Sequence, residues 1–369
     1  MDIKSLDATT ILNSVGNPTV KVAVKTENGC FSSSVPEGTS AGRNEFAPLP
    51  PNKSKDYINK IKIGNISSVN DIIDLEKKHE SGKANILGLS LCLLKAVAAS
   101  KNRQVYELFG KKTKPFLLNK IVGGGAHAGG HPEVQEFLAV VRSKSIKEGI
   151  EISHDIHKDF GKHVKPKGRD LEGGWAVNMA SRQVLSLMED TISSLGLKKK
   201  VSLGMDIAAS SFYKNRHYIC ESGKKTKEEY MEYVAGLVKD YKISFIEDPF
   251  DEDDFESFAW LKKKFPNVLV CGDDLVVTNP DIIIKAHSKK SINSVIVKPN
   301  QVGYIYKLIE FCRLADKYKY LKVVSHRSQE TNDPILADLG VGLGCQGMKM
   351  GIFGGERIAK LNRLVEIFG

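Results

Sequence analysis

The first hundred residues show two kinds of hydrophobic pattern. Valines alternate with polar or small residues over 20–25, and the Asn-Gly pair at 28–29 separates them from a second run of strand-type residues at 30–35. Asn-Gly between such runs predicts a β-hairpin. From Ser68 onward the spacing becomes helical, and the mostly apolar stretch 84–99 predicts a helix buried between layers. This part of the chain therefore predicts an α+β unit.

In the rest of the chain the spacing of short apolar runs repeats, although their sequence does not. Short apolar runs end in a charged or polar residue, and helical segments at 228–239, 255–265 and 304–318 fill the gaps. Units of about 25 to 30 residues are typical of a (β/α) barrel, whose active site lies at the C-terminal ends of its strands. The stretch 212–220 fits an extra hairpin. The residues that end the six runs are Asp206, Glu247, Asp273, Lys298, His326 and Lys349.

A lysine-rich stretch at 111–115 interrupts the helical pattern between these two parts. We place the domain boundary there. The predicted fold class is α/β, with a smaller N-terminal α+β domain over 1–113 and a C-terminal (β/α) barrel over 114–369.

Composition and charge narrow the class of protein. The net charge is +10, but the lysines are spread over all 369 residues rather than concentrated on one element. This favours solvated surfaces and a small anionic substrate over a nucleic-acid partner. No apolar run is long enough for a membrane span, and the first residues lack the apolar core of a signal peptide. Six widely spaced cysteines fit reduced thiols, so we expect a cytoplasmic protein.

Three of the strand-terminal residues are carboxylates. Asp206, Glu247 and Asp273 would repel one another at one end of a barrel unless a cation lay between them. Oxygen ligands suit a hard divalent ion, and near a phosphate Mg2+ is the usual one. The alternative, N-capping of the following helices, explains one such residue better than three at the same level. Lys298 ends the next strand, and neighbouring cations would lower its pKa and make it a base.

The last two strands carry cationic and hydroxyl donors. Residues 325–328 read Ser-His-Arg-Ser, and Lys349 ends the following strand. Arginine suits bidentate phosphate binding and lysine acts as a point charge. Together with the carboxylates they indicate a site for a phosphorylated carboxylic acid. Glycine-rich segments add candidates that are weak when taken singly: His127, Gln135, Glu136, Glu172 and a lid at 36–42 that contains Ser40.

Taken together, these motifs resemble the enolase family over nearly the whole chain. The resemblance implies an enolase-type barrel, a homodimer and the Mg2+-dependent dehydration of 2-phosphoglycerate to phosphoenolpyruvate. It also implies Lys298 as base and Glu172 as acid; Asp206, Glu247 and Asp273 as ligands of the catalytic metal; and Ser40 as a ligand of a second Mg2+. Lys349, Ser325, His326, Arg327 and Ser328 would hold carboxylate and phosphate, and His127, Gln135 and Glu136 would line the hydroxyl side. The motifs that carry the resemblance are Gly204–Ser210, Ile246–Phe250, Gly272–Leu275, Lys298–Gly303 and Ser325–Ser328.

Several residues depart from the family pattern. Val15 replaces an arginine that joins subunits in the family, so a weakened interface is expected. Leu171 replaces an acidic residue just before Glu172. Glu37 replaces a small residue in the lid, Pro299 a β-branched one, and Gln329 a glycine. None of the residues given a chemical role is missing.

Three other classes of protein share part of this sequence pattern. Residues 342–347 match G-x-G-x-x-G, but only 22 residues follow, too few for the βαβ unit that this motif requires. An acid-sugar dehydratase would share the carboxylates but lack the Ser-His-Arg-Ser site. The remaining alternative is an enolase-like protein with weak or no activity that acts as a binding protein.

Overall fold

The N-terminal part forms a three-stranded antiparallel sheet. The structure is a computed structural model that describes residues 1–39, 42–83, 85–125 and 132–369. The sheet has the order β1 (Ser5–Leu12), β2 (Pro18–Thr26), β3 (Gly29–Ser34). β2 and β3 are the predicted hairpin. β1 was not predicted, because Ala8 is its one fully buried residue and its sequence shows no apolar alternation.

Three helices follow this sheet along the chain, and the first and third of them pack on it. They are α1 (Pro51–Ile58), α2 (Val69–His79) and α3 (Leu87–Ser100). Ser68 caps α2 by accepting from the Asp71 amide, and the Asp71 carboxylate accepts from the Ser68 amide in return. α3 is the predicted apolar helix, and it packs closely on the sheet: a Cβ on Gly88 would lie 3.1 Å from Val35 and 3.2 Å from Val22. Short 3-10 helices lie at Glu80–Gly82 and Val105–Phe109.

The remaining elements build the second part of the molecule. A 3-10 helix at Ala209–Phe212 precedes the extra hairpin that the sequence predicts. This hairpin is three-stranded and is formed by Tyr213–Lys214, His217–Cys220 and Gly223–Lys225. The strands in chain order are β4 (Phe116–Gly123), β5 (Glu136–Val141), β6 (Gly168–Arg169), β7 (Trp175–Ala176), β8 (Val201–Asp206), β9 (Tyr213–Lys214), β10 (His217–Cys220), β11 (Gly223–Lys225), β12 (Phe245–Glu247), β13 (Leu269–Gly272), β14 (Ser294–Val297), β15 (Leu321–Ser325) and β16 (Gly347–Gly351). The helices are α4 (Ile146–His163), α5 (Ser181–Ser194), α6 (Lys227–Asp240), α7 (Phe255–Lys264), α8 (Pro280–Ser288), α9 (Pro299–Val302), α10 (Ile305–Lys317), α11 (Ile335–Gly342) and α12 (Gly355–Phe368). The predicted boundary at 113/114 falls between the 3-10 helix that ends at Phe109 and β4, and it stays a proposal.

Eight strands close a barrel in the order β4-β5-β8-β12-β13-β14-β15-β16, with β16 pairing back to β4. The barrel predicted from the repeated rhythm is thus confirmed. One strand departs from the expected parallel pattern: β5 runs antiparallel to both β4 and β8. Its first residue, Glu136, therefore lies beside the last residue of β8, Asp206. We call this end of the barrel, where the parallel strands have their C-termini, the barrel mouth.

One buried carboxylate joins the two parts of the molecule. Glu76, on α2, is fully buried and accepts the amide hydrogens of Ile305 and Tyr306 at 2.8 and 3.0 Å, as well as the hydroxyl of Ser90 at 2.6 Å. It thus caps the first turn of α10 on the barrel. Burial raises the pKa of Glu76 from 4.5 to about 7, although these hydrogen bonds oppose the rise.

This raised pKa predicts a pH-dependent stability. Between pH 4.5 and 7 the folded protein binds a proton at Glu76 that the unfolded chain does not, so the free energy of unfolding should fall as pH rises through this window. Replacing Glu76→Gln should shrink the fall between pH 5 and pH 8 by about 2 kcal/mol. Urea unfolding at the two pH values measures this difference. Glu310→Gln, an exposed change on α10, is the control, and a Glu76→Gln profile parallel to wild type would contradict the prediction.

Candidate active site

The three predicted metal ligands lie together at the barrel mouth. Asp206 and Glu247 are the last residues of β8 and β12 and are paired across these strands, and Asp273 follows β13 directly. Glu136 pairs with Asp206 from the other side, which extends the row of carboxylates to a third strand. All four side chains are buried. The strand registers therefore bring together the residues that the sequence placed at strand ends.

A lysine balances much of this negative charge. Lys349 Nζ lies 2.8 Å from Asp206 Oδ2, 2.9 Å from both oxygens of Glu247 and 3.3 Å from Glu136 Oε1. Burial lowers the pKa of Lys349, but these carboxylates outweigh that effect and hold the pKa well above its ordinary value. Lys349 was predicted to hold substrate; here it is bound to carboxylates.

The carboxylates retain capacity for a cation. Burial and the neighbouring Asp206 raise the pKa of Glu247 well above its usual range, so the site has more negative charge than its surroundings readily hold. Asp206 Oδ1 is buried and makes no hydrogen bond within the described part of the chain. Oxygens of Glu247, Asp248 and Asp273 lie within 4.8 Å of one another. An all-carboxylate donor set with a spare buried oxygen fits a hard divalent ion such as Mg2+.

Asp248 supports this row and was missed by the sequence analysis. It has a positive φ of 40°, and its carboxylate accepts the amide hydrogens of Asp273 and Asp274 at 3.1 and 2.6 Å. It therefore fixes the loop that carries Asp273. The acidic pair Glu247-Asp248 was visible in the sequence, but only the first of its residues ends a strand.

Lys298 follows β14 and forms a close ion pair with Asp273, whose other oxygen accepts from Gln301 Nε2 at 2.9 Å. In this structure the pKa of Lys298 is raised rather than lowered. Burial does lower the pKa of Lys298, but the adjacent Asp273 carboxylate outweighs it and the pKa rises to about 12. The same pair keeps the pKa of Asp273 below its ordinary value despite burial.

The Ser-His-Arg-Ser segment follows β15 on the opposite side of the mouth. Arg327 binds Glu45 at 2.7 Å and Asn300 at 3.2 Å. The ring of His326 accepts from Arg357 Nε at 3.2 Å through Nδ1, and its Nε2 lies 3.7 Å from Glu172 Oε2. Burial lowers the pKa of His326 well below its usual value, so the ring is neutral. Ser325 and Ser328 are buried beside them.

Glu172 lies in the loop 170–174, which joins β6 to β7. Lys120, in the interior of β4, lies 2.8 Å from Glu172 Oε2. It also lies 2.5 Å from Asp170 Oδ2 and 4.0 Å from Glu136 Oε1. Sequence reasoning missed Lys120 and Asp170. The available signal was a lysine inside the otherwise apolar strand Phe116–Gly123, where a buried ammonium requires carboxylate partners.

Glu37, in the segment predicted to be a lid, is bound to the loop that follows the Ser-His-Arg-Ser segment. Glu37 and Gln329 exchange both backbone hydrogen bonds, at 2.9 and 3.0 Å. The Gln329 side-chain oxygen accepts from Asn13 and Asn17, each at 3.0 Å. Two departures from the family pattern, Glu37 and Gln329, are thus in direct contact. Ser40 and His127, both predicted site residues, lie outside the described residues.

Many of these groups line one cavity at the barrel mouth. Acids, bases and cationic groups face the same enclosed space, which is the arrangement needed to move protons on a bound anion. Its lining includes Gln135, Glu136, Glu172, Asp206, Asp273, Lys298, Ser325, His326, Arg327, Ser328 and Lys349.

Fold and site define a barrel enzyme whose mouth holds buried acidic and basic side chains, with a carboxylate cluster that fits a divalent cation. Two models of known protein families match this chain. The family model for the enolase C-terminal TIM barrel domain matches residues 111–368, and that for the enolase N-terminal domain matches residues 3–77. The chain belongs to the enolase family and is a lyase of that type.

Named relatives agree over nearly full length. An enolase of Methanosphaera stadtmanae is 36% identical over 392 residues, covering 97% of this chain and 94% of the relative. An enolase of Methanocaldococcus jannaschii is 34% identical, and the match covers 99% of this chain and 95% of the relative. An enolase of Archaeoglobus fulgidus is 33% identical, and the match covers 100% of this chain and 97% of the relative.

Proposed function

We propose that the protein catalyses the reversible Mg2+-dependent dehydration of 2-phospho-D-glycerate to phosphoenolpyruvate, as in glycolysis and gluconeogenesis. The observation that carries the proposal is that Lys298 and Glu172 line one cavity together with Asp206 and Asp273, two of the three strand-terminal carboxylates. Family membership supports the same reaction. The cytoplasmic location of the protein stays a prediction from its cysteines.

The proposed roles follow from the positions of the groups. Lys298 removes the proton from the carbon next to the substrate carboxylate, and Glu172 gives a proton to the departing hydroxyl, so that water leaves. Asp206, Glu247 and Asp273 would hold Mg2+, which supplies positive charge against the negative charge that develops on the substrate. Lys349 and residues 325–328 hold the substrate carboxylate and phosphate. Gln135 and Glu136 line the hydroxyl side. The family resemblance would add His127 on that side and Ser40 as a ligand of a second Mg2+.

Lys298 has to act as a free amine in this role. Its pairing with Asp273 must therefore be broken before it can accept a proton. Because Asp273 is also a proposed metal ligand, one carboxylate controls both the cation site and the availability of the base.

The direct experiment is to add 2-phosphoglycerate and Mg2+ and follow the absorbance of the enolpyruvate product. Product should form with Mg2+ and not in excess chelator. Absence of product under both conditions would favour the alternative, an enolase-like binding protein. Full activity in excess chelator would contradict the metal assignment.

Asp273→Asn should weaken Mg2+ binding while leaving the fold intact, because the amide keeps the shape of the side chain and removes one ligand charge. Calorimetric titration with Mg2+ should show an affinity lower by about tenfold or more. Thermal unfolding without metal should stay close to wild type. Asp240→Asn, at an exposed ion pair with Arg182, is the control and should bind Mg2+ as wild type does. Unchanged affinity in Asp273→Asn would remove this residue from the ligand set.

The two proton transfers should separate by mutation. Lys298→Ala should abolish both exchange of the C2 hydrogen with solvent and formation of enolpyruvate. Glu172→Gln should abolish only the second, because the first proton can still be removed and returned. Deuterium uptake at C2, followed by NMR, measures the first step alone. Uptake that persists in Lys298→Ala, or stops in a Glu172→Gln protein that still binds substrate, would show that the acid and base are wrongly assigned.

We also propose a homodimer whose interface is weaker than is usual in the family. Val15, which stands where the family has an arginine, is 37% exposed, and the nearby Leu12 is 68% exposed. Loss of one member of a charge pair at an interface costs several kcal/mol when its partner stays behind. Sedimentation at micromolar protein should therefore show dissociation, and Val15→Arg should strengthen association. A wild-type dimer that stays intact at nanomolar concentration would refute the proposal.

A further inference from the structure

Lys120 is a fully buried ammonium group in the middle of an apolar barrel strand. Three carboxylates lie within 4.0 Å of its Nζ: Asp170, Glu172 and Glu136. Burial lowers the pKa of Lys120, but the charges of Asp170 and Glu172 outweigh burial and raise it, so the group is charged. None of these partners belongs to the proposed metal ligands. The ammonium therefore lies beside the proposed acid rather than beside the metal site.

The surroundings of this lysine are built around the Glu172 loop. Asp170 Oδ1 accepts the amide hydrogens of Glu172 and Gly174 at 3.0 and 2.8 Å, while Oδ2 faces Lys120. Asp170 also requires a glycine opposite it, since a Cβ on Gly123 would lie 1.9 Å from Asp170 Oδ2. One carboxylate thus folds the loop and fixes the ammonium, which in turn contacts Glu172. Asp170 places a carboxylate beside Glu172 in a loop where Leu171 replaces the family's acidic residue.

Burying such a group is unfavourable unless it is fully paired, and apolar residues of similar volume often serve stability as well or better. The arrangement therefore points to a role beyond holding the strand. We propose that Lys120 is a positioning residue for the dehydration, acting through Glu172; this inference rests on the proposed function. When Glu172 gives its proton to the departing hydroxyl and water leaves, a buried carboxylate remains, and Lys120 supplies its counter-charge. In the reverse direction the same pair holds Glu172 ready to accept a proton from water.

The test uses the two half-reactions. Lys120→Met keeps the length of the side chain and removes its charge. We expect C2 deuterium uptake to stay within about threefold of wild type, while enolpyruvate formation falls by about 100-fold, the size of a general-acid contribution. In a Glu172→Gln background, Lys120→Met should leave C2 deuterium uptake and any residual enolpyruvate formation unchanged, because a residue that acts through another has no effect once that partner is gone.

Lys322→Met is the matched control. Lys322 is equally buried, on β15, but binds the Leu343 carbonyl at 2.7 Å and Asp316, away from the cavity. It should leave the ratio of the two half-reactions unchanged. Equal loss of both half-reactions in Lys120→Met, or an additive loss in the double variant, would overturn the inference.

A second variant separates a folding defect from a loss of function. If Lys120→Met does not fold, Lys120→Gln, which keeps a hydrogen-bond donor, carries the same test. Failure of both to fold while Lys322→Met folds would show a purely structural role and overturn the inference. A wild-type protein with neither half-reaction would instead refute the proposed function itself.

Discussion

The structure depends on how buried carboxylates at the barrel mouth are neutralised. Glu136, Asp206 and Glu247 form a row across three adjacent strands, with Asp273 beside it, and like charges so placed cannot all stay ionised alone. Lys349 forms ion pairs with the three carboxylates of the row, and Lys298 forms an ion pair with Asp273. This constraint explains why each lysine of the cavity is paired with carboxylates. It also explains why a divalent cation would change the state of the base.

The N-terminal part completes the mouth from outside the barrel. Glu45 holds Arg327, and Glu37 joins the loop at Gln329 through two backbone hydrogen bonds. Farther along that loop, Asp333 accepts from Lys95 at 2.8 Å. The proposed phosphate-binding segment is therefore positioned by residues of both parts. The lysine and arginine contacts are ion pairs between the two parts of the molecule.

The sequence predicted the barrel and the residues at its mouth because a (β/α) rhythm places strand-terminal residues at one end. Other features had no such signal. β1 is largely exposed, so its sequence lacks the alternation of apolar and polar residues that predicts a strand. β5 is a mostly apolar run, and such a run does not show whether the strand lies parallel or antiparallel to its neighbours. Lys120 was missed because a lysine in a strand pattern ordinarily indicates an exposed position. Its three carboxylate partners come from two other segments, and only tertiary structure brings them within reach.

We propose that the carboxylates at the barrel mouth form a cation site. The most direct measurement is anomalous diffraction from crystals grown with Mn2+, which substitutes for Mg2+ and can be located by its scattering. We expect an anomalous peak bounded by Asp206, Glu247 and Asp273, with Lys349 Nζ no longer within hydrogen-bond distance of Asp206. No peak there at saturating Mn2+, with Lys349 still bound to Asp206 and Glu247, would contradict it.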